Sequence, residues 1–314
     1  YGTLSAALGV GDKLYGSVDN GTNWTNITDK VTGTAISWDG ATLASGNNNM
    51  FLKVTDAAGN EGEVGGQQYV LDTTNPTVGA ITITPSYGSS PTYISGTSTI
   101  SAPITEGGPS GTLCEYTLNG GSNWTVGGVV EDGKCTFTGI NTSEATSINV
   151  RATDVAGNTG EGMAVNVTVD ITEPTVASAT ANPNPAKAGS VTITVIFTET
   201  GVGMDTSSSP IVLITGITGS PIIVNQSSYT GTTWIGTFTL ADNDEEKTAT
   251  ISVAGAKDLA NNVMDANLSA GTFAVDTVTP LAPIVSDPAE AVTLNVANYI
   301  ITGTAEAGST VKIY

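Results

Sequence analysis

An all-β chain built from tandem sandwich domains is what this 314-residue sequence predicts. Three observations predict it. Motifs recur at intervals near one hundred residues, short runs alternate aliphatic residues with threonine, and turns rich in glycine and asparagine separate those runs.

The recurrence sets the frame, because a fixed period marks repeated structural units. Val54-Thr-Asp-Ala-Ala-Gly-Asn60 returns as Ala152-Thr-Asp-Val-Ala-Gly-Asn158 and, more loosely, as Ala256-Lys-Asp-Leu-Ala-Asn-Asn262. Each is followed by a second motif: Leu71-Asp-Thr-Thr-Asn-Pro76, Val169-Asp-Ile-Thr-Glu-Pro174 and Val275-Asp-Thr-Val-Thr-Pro280. The first Asp recurs after 98 and 104 residues, the second after 98 and 106, and Trp24 recurs as Trp124 after 100. Three motifs therefore agree on one repeat length.

Within a repeat the pattern is strand after strand. Val191, Ile193, Val195 and Phe197 share one face of an alternating run, with threonines mostly opposite, the period of a half-buried strand. Val165, Val167 and Val169 alternate likewise, as do Ile148, Val150 and Ala152. Asn20-Gly21, Asn119-Gly120-Gly121 and Gly107-Gly108-Pro109 punctuate the runs as turns. No helical period persists. Short strands with frequent turns in a unit of about 100 residues predict a β-sandwich of the immunoglobulin kind, here strung in tandem as an elongated rod.

Domain boundaries are placed at the Asp-Thr-x-x-Pro motifs, because proline and the restriction it puts on its predecessor favour an extended link. The expected division is a partial domain over 1–75, complete domains over 76–173 and 174–279, and the start of another over 280–314. Trp24 lies 24 residues from the start whereas Trp124 lies 48 after Pro76, so the first domain is expected to lack its opening strands. The opening residues show no leader pattern, and the chain is expected to be a segment of something longer.

Composition removes whole classes of function. Nine Lys and Arg against 29 Asp and Glu give a net charge of −20, and there is no histidine. Such a surface repels nucleic acid and anionic lipid and attracts cations. Without histidine there is no Ser-His-Asp or Cys-His nucleophile and no imidazole zinc site. No phosphate loop or dinucleotide fingerprint occurs. The chain is expected not to be an enzyme, a carboxylate-pair glycosidase being the surviving formal alternative. No run of about 20 apolar residues is present to insert in a membrane. Trp24, Trp38, Trp124 and Trp234 are read as packing residues in preference to a sugar-stacking face.

In order, Gly2-Thr-Leu-Ser-Ala-Ala-Leu, the Asn-Gly-Thr-Asn-Trp-Thr turn, the Asp56 loop and Asp72-Thr-Thr-Asn-Pro76 resemble one immunoglobulin-like repeat of very large bacterial surface adhesins and biofilm-associated proteins. Residues 174–264, with Asn184-Pro-Ala-Lys-Ala-Gly189, resemble a second subfamily of such repeats, and 283–314 the opening of a third. The resemblance implies secretion, an extracellular or cell-surface location, and calcium at domain junctions.

On that reading Asp56, Asn60 and Asp72 converge on a structural Ca²⁺, joined by carbonyls and a carboxylate from the next domain. The same roles fall to Asp154, Asn158 and Asp170, and to Asp258, Asn262 and Asp276. Glu106 and the Glu199–Asp205 loop are further candidate donors. The alternative is that each Asp only caps its own turn. Cys114 and Cys135, expected on neighbouring strands, are expected to pair in an oxidising compartment, a free buried pair being the alternative. The implied role is a structural extender that spaces a terminal adhesive domain from the cell. Its partners would be neighbouring repeats, other copies laterally, or a surface or matrix ligand bound by domains outside this segment. A self-assembling surface layer, sheath or filament, and a spacer or carbohydrate-binding module of a secreted hydrolase, are the competing roles.

Overall fold

The computed structural model describes residues 1–105, 112–288, 293 and 298–313. Among these residues the chain is all-β, with one 3-10 turn at Thr28–Lys30 and no α-helix. It forms two compact units: Tyr1–Pro85 with Thr97–Val167, and Ser86–Gly96 with Thr168–Tyr314.

The first unit holds the first sequence repeat and most of the second, whose residues 86–96 and 168–173 are grouped with the other unit. In the earlier one, strands Thr25–Asn26, Lys13–Ser17, Gly46–Thr55 and Gly65–Leu71 pair in that order, and Gly2–Thr3, Ala35–Ile36 and Val31–Thr32 make a second, smaller sheet. Leu14, Ile27 and Ile36 form its core, with Trp38, Leu52 and Val54 packed against them. In the later one, Thr97–Thr105 pairs with Lys134–Asn141 and, on its other edge, with Thr82–Thr84 and Thr77–Val78. The companion sheet centres on Leu113–Thr117, between Thr125–Val129 and Ser147–Thr153. Alternation buries Ile100, Ala102 and Ile104 from the first sheet and Ile148, Val150 and Ala152 from the second.

Cys114 and Cys135 are joined by a disulfide, their Cα atoms 5.7 Å apart and both side chains buried. The two cysteines do not sit on neighbouring strands. Cys114 belongs to Leu113–Thr117 and Cys135 to Lys134–Asn141, strands of different sheets. Here two inward-facing positions of different sheets approach within disulfide reach, which spacing in sequence alone does not distinguish from a pair within one sheet.

In the second unit the sandwich is complete. Strands Thr175–Asn182, Gly189–Thr198, Thr233–Leu240 and Asn225–Thr230 form one sheet; Ile222–Ile223, Ile211–Thr215, Glu246–Ala254 and Asn267–Asp276 form the other. Lettered in chain order from A, with Ile222–Ile223 as C′, these sheets read A-B-E-D and C′-C-F-G, the immunoglobulin arrangement. Val191, Ile193, Val195 and Phe197 face inward as the alternation requires, against Val212, Ile214, Ile251 and Phe273 of the other sheet. Strands Ile284–Asp287 and Thr302–Thr304 pair beyond it.

The tryptophans divide by environment. Trp234 is fully buried in the complete sandwich, its indole N–H donating to Gln226 Oε1 at 2.8 Å. Trp24 and Trp124 are half-buried, each beneath a cation: Lys53 Nζ and Arg151 Cζ lie 4.5 Å from the respective ring centroids. Arg151 is itself held by a two-pronged pair with Glu115 at 2.6 and 2.9 Å. Trp234→Ala should therefore cost about 3–5 kcal/mol in denaturant unfolding, whereas Trp124→Ala should cost about 1 kcal/mol, mostly its cation contact. Equal losses would contradict this division.

Candidate metal centre

All three Asp-x-x-x-Asn loops are built by the same local bonds. Asp56 Oδ1 accepts the N–H groups of Ala58 and Asn60 at 2.9 and 2.8 Å, and its Oδ2 accepts Asn60 Nδ2 at 2.8 Å. Asp154 repeats this with Ala156 and Asn158 at 2.8 and 2.9 Å, and with Asn158 Nδ2 at 2.8 Å. Asp258 does so with the N–H and Nδ2 of Asn262, at 2.8 and 2.6 Å. Gly59 and Gly157 take φ of 92° and 93°, and Asn261 takes 65° at the same position, a region asparagine tolerates better than most residues. Turn capping is thus a real role of these aspartates in every copy. Asp72, Asp170 and Asp276 also cap locally, accepting the N–H of Thr74, Thr172 and Val278.

In the first and third repeats the two motifs do not converge. Gly46 pairs with Leu71, so Asp72 stands at the beginning of strand Gly46–Thr55 and Asp56 just past its end, roughly 30 Å away at ~3.3 Å per residue. Asp276 pairs with Glu246 at the start of Glu246–Ala254, while Asp258 follows its far end. The antiparallel return of the chain separates residues that the sequence spacing had grouped.

What the structure brings together is the second motif of one repeat and the first motif of the next. In the first unit Asn158 Nδ2 donates to the backbone carbonyl of Asp72 at 3.1 Å. In the second unit Asn262 Nδ2 donates to that of Asp170 at 2.9 Å. Asn158 and Asn262 therefore clamp two segments through their NH₂ groups. Asp56 and Asn60 are exposed, as is Asp276.

At Asp170 the arrangement gains a third carboxylate. Oxygens of Asp170, Glu199 and Asp258 lie within 4.8 Å of one another; Asp170 and Asp258 are buried and Glu199 half-buried. Val202 N–H donates to Asp170 Oδ2 at 3.0 Å and Gly201 N–H to Glu199 Oε1 at 2.8 Å. A Cβ at Gly201 would collide with the Asp170 carboxylate, so glycine is what lets this loop close on it. Glu199 Oε2 is buried with no hydrogen-bond partner. Among the described residues none of the ion pairs brings Lys or Arg to these three groups. Asp205, farther along the loop, caps its own turn at Ser207. Glu106 lies outside the described residues.

The electrostatics separate this loop from its copies. Hydrogen bonds, first from the Asn60 side chain, lower the Asp56 pKa. At Asp154 burial pushes upward, but the bonds from Asn158 outweigh it and the pKa falls. At Asp258 burial first, with help from the Asp170 charge, pushes the pKa up despite the same Asn bonds. Burial likewise raises Glu199, with the charges of Asp170 and Asp258 adding. Two such charges repel by ~3–4 kcal/mol at an effective dielectric of about 20. A buried, all-oxygen donor set with one orphaned oxygen fits a hard divalent cation.

A sequence signal marks Glu199. Strand Gly189–Thr198 runs directly into Glu199-Thr-Gly201, as Thr97–Thr105 runs into Glu106-Gly-Gly108.

No protein-family model matches the chain, and no curated protein sequence does. The chain is similar to several solved structures. One is a 1.5-MDa bacterial ice-binding adhesin, 19% identical, covering 85% of this chain and 86% of that one, with a TM-score of 0.40. Another is a Ca²⁺-stabilised adhesin with which an Antarctic bacterium binds ice, 18% identical over 91% and 69%, TM-score 0.42. A third is a tetra-tandem repeat from the extending region of a large adhesion protein, 16% identical over 85% and 67%, TM-score 0.32. Likeness of this degree carries no argument about function.

Raised folded-state pKa values mean that Glu199 and Asp258 hold their protons more tightly when folded. Their contribution to stability therefore falls as pH rises through the window above the ordinary carboxylate value. In chelator at pH 7, Glu199→Gln should melt a few degrees above the parent, and the gap should narrow as pH falls toward the ordinary carboxylate range. A gap independent of pH would show that Glu199 carries no trapped charge.

Proposed function

We propose that this chain is a structural segment of a secreted or cell-surface repeat protein, an extender whose repeats are fixed in sequence by bound calcium. The observation that carries the proposal is the buried cluster of Asp170, Glu199 and Asp258 with its orphaned oxygen. Calcium takes six to eight oxygen ligands, and three carboxylates can supply most of them. The ion would tie Asp170, in the extended Asp-Ile-Thr-Glu-Pro174 segment, to the loop after Gly189–Thr198 and to the loop after Glu246–Ala254. A segment held at both loops cannot swing freely, and that is the property an extender needs. The complete sandwich beside it supplies a rigid base of 22 buried core residues.

Asp72 with Asp154 and Asn158 repeats two-thirds of this arrangement in the first unit, and Asp276 offers the corresponding start after the complete sandwich. These are proposed as further calcium positions. The disulfide and the acidic surface suit an oxidising exterior; no described helix is long and apolar enough to cross a membrane. The proposed partners are neighbouring repeats, with adhesion itself residing in domains outside this segment.

Binding to the folded state raises its melting temperature by mass action. Asp170→Asn and Asp258→Asn should each abolish most of the calcium-dependent rise in melting temperature of the second unit, while Asp56→Asn should leave it intact. In chelator the two former variants should melt no lower than about 1–2 °C below the parent, because asparagine keeps much of the turn bonding. An equal calcium response in all four proteins would overturn the site.

A further inference from the structure

The third Asp-x-x-x-Asn loop departs from its copies at two positions. Lys257 stands where the others have Thr55 and Thr153, and Asn261 stands where they have Gly59 and Gly157. Neither change serves the carboxylate cluster. Both are absorbed by one hydrogen-bonded chain: Lys257 Nζ donates to Asn261 Oδ1 at 3.1 Å, and Asn261 Nδ2 donates to Tyr87 Oη at 3.1 Å.

Tyr87 lies in a hairpin whose second strand, Thr92–Ile94, pairs with Val165–Val169 at the edge of the second repeat's sheet. Residues 86–96 fall near the start of the second repeat, and Ser86–Gly96 is grouped with the second unit. Tyr87 and Tyr93 exchange both backbone hydrogen bonds, at 2.9 and 2.7 Å, closing the hairpin around Gly88 at φ 69°. At its base the carbonyl of Ile94 accepts the N–H of Asp170 at 3.1 Å, and the Ile94 side chain is fully buried. The tip is attached differently. Tyr87, Gly88 and Tyr93 face Asp205, Asp258, Leu259 and Asn261 across a cleft of ≈ 220 Å³, which the Asn261–Tyr87 bond spans.

We infer that residues 86–96 form a strap whose partner is a loop of this type carrying asparagine, not glycine, at its fourth position after the lysine. Glycine would satisfy the backbone there at least as well, since φ is positive in all three copies. Asparagine keeps that conformation and adds a donor that reaches the tyrosine. Lysine in turn fixes the amide, occupying its oxygen so that its NH₂ points outward. The pair thus encodes which repeat may follow the second: a loop with the Thr and Gly of the other copies has no group to receive Tyr87. The recognition works without any cation, because none of its bonds involves Asp170, Glu199 or Asp258 side chains.

Asn261→Gly is the decisive variant, since it restores the residue that the other loops fold with. Hydrogen–deuterium exchange on the full chain should be measured for parent, Asn261→Gly and Tyr87→Phe, each in chelator and in calcium. The Tyr87 and Tyr93 amides should exchange about fivefold faster in both variants, the loss expected for one net hydrogen bond. Amides of strand Gly189–Thr198 should be unchanged. The acceleration should appear in chelator as well as in calcium. Unchanged exchange over 86–96, or acceleration confined to calcium, would overturn a cation-independent strap.

Discussion

Each Asp-x-x-x-Asn loop depends on the way its aspartate divides its two oxygens. Oδ1 takes backbone N–H groups of the turn, and Oδ2 takes one hydrogen of the asparagine amide. That leaves the second amide hydrogen pointing away from the loop. In two copies it finds the backbone carbonyl of an aspartate from the preceding motif. A bond whose first purpose is to close a turn thereby positions a second chain segment, and with it a second carboxylate. The carboxylate cluster follows from this geometry.

Whether such a meeting is comfortable depends on what else arrives. Around Asp56, hydrogen bonds dominate and the carboxylate is easier to ionise than usual. Around Asp258, the same bonds are overcome by burial and by neighbouring charge. The same Asp–Asn bonding pattern thus sits in two electrostatic situations, set by what surrounds it. Gly201 contributes as much as any charged residue, since its missing side chain is the space the Asp170 carboxylate occupies.

The strands and the repeat were legible in the sequence because both are periodic. Alternation at Val191–Phe197 states which side chains face inward, and the core contains those residues. The aspartates and asparagines of the motifs were legible as types. Their grouping was not, because proximity in sequence misleads across an antiparallel pair: Asp56 and Asp72 are 16 residues apart and at opposite ends of a strand. Asp170 and Asp258, 88 residues apart, are the pair that meets. The hairpin at 86–96 left no periodic trace, and Lys257 and Asn261 read only as imperfections of a repeat. The cysteines were legible as a pair but not as a link between sheets.

That last link has a mechanical meaning. When a tandem protein is pulled by its ends, each sandwich that gives way pays out its folded length as slack. In the second repeat the covalent bond between Cys114 and Cys135 removes the 21-residue separation between them from that slack, about 70 Å at ~3.4 Å per residue. The complete sandwich at 175–276 has no cysteine and no such stop. Under load the two would lengthen by different amounts, so the repeats are not interchangeable as springs even where their folds agree.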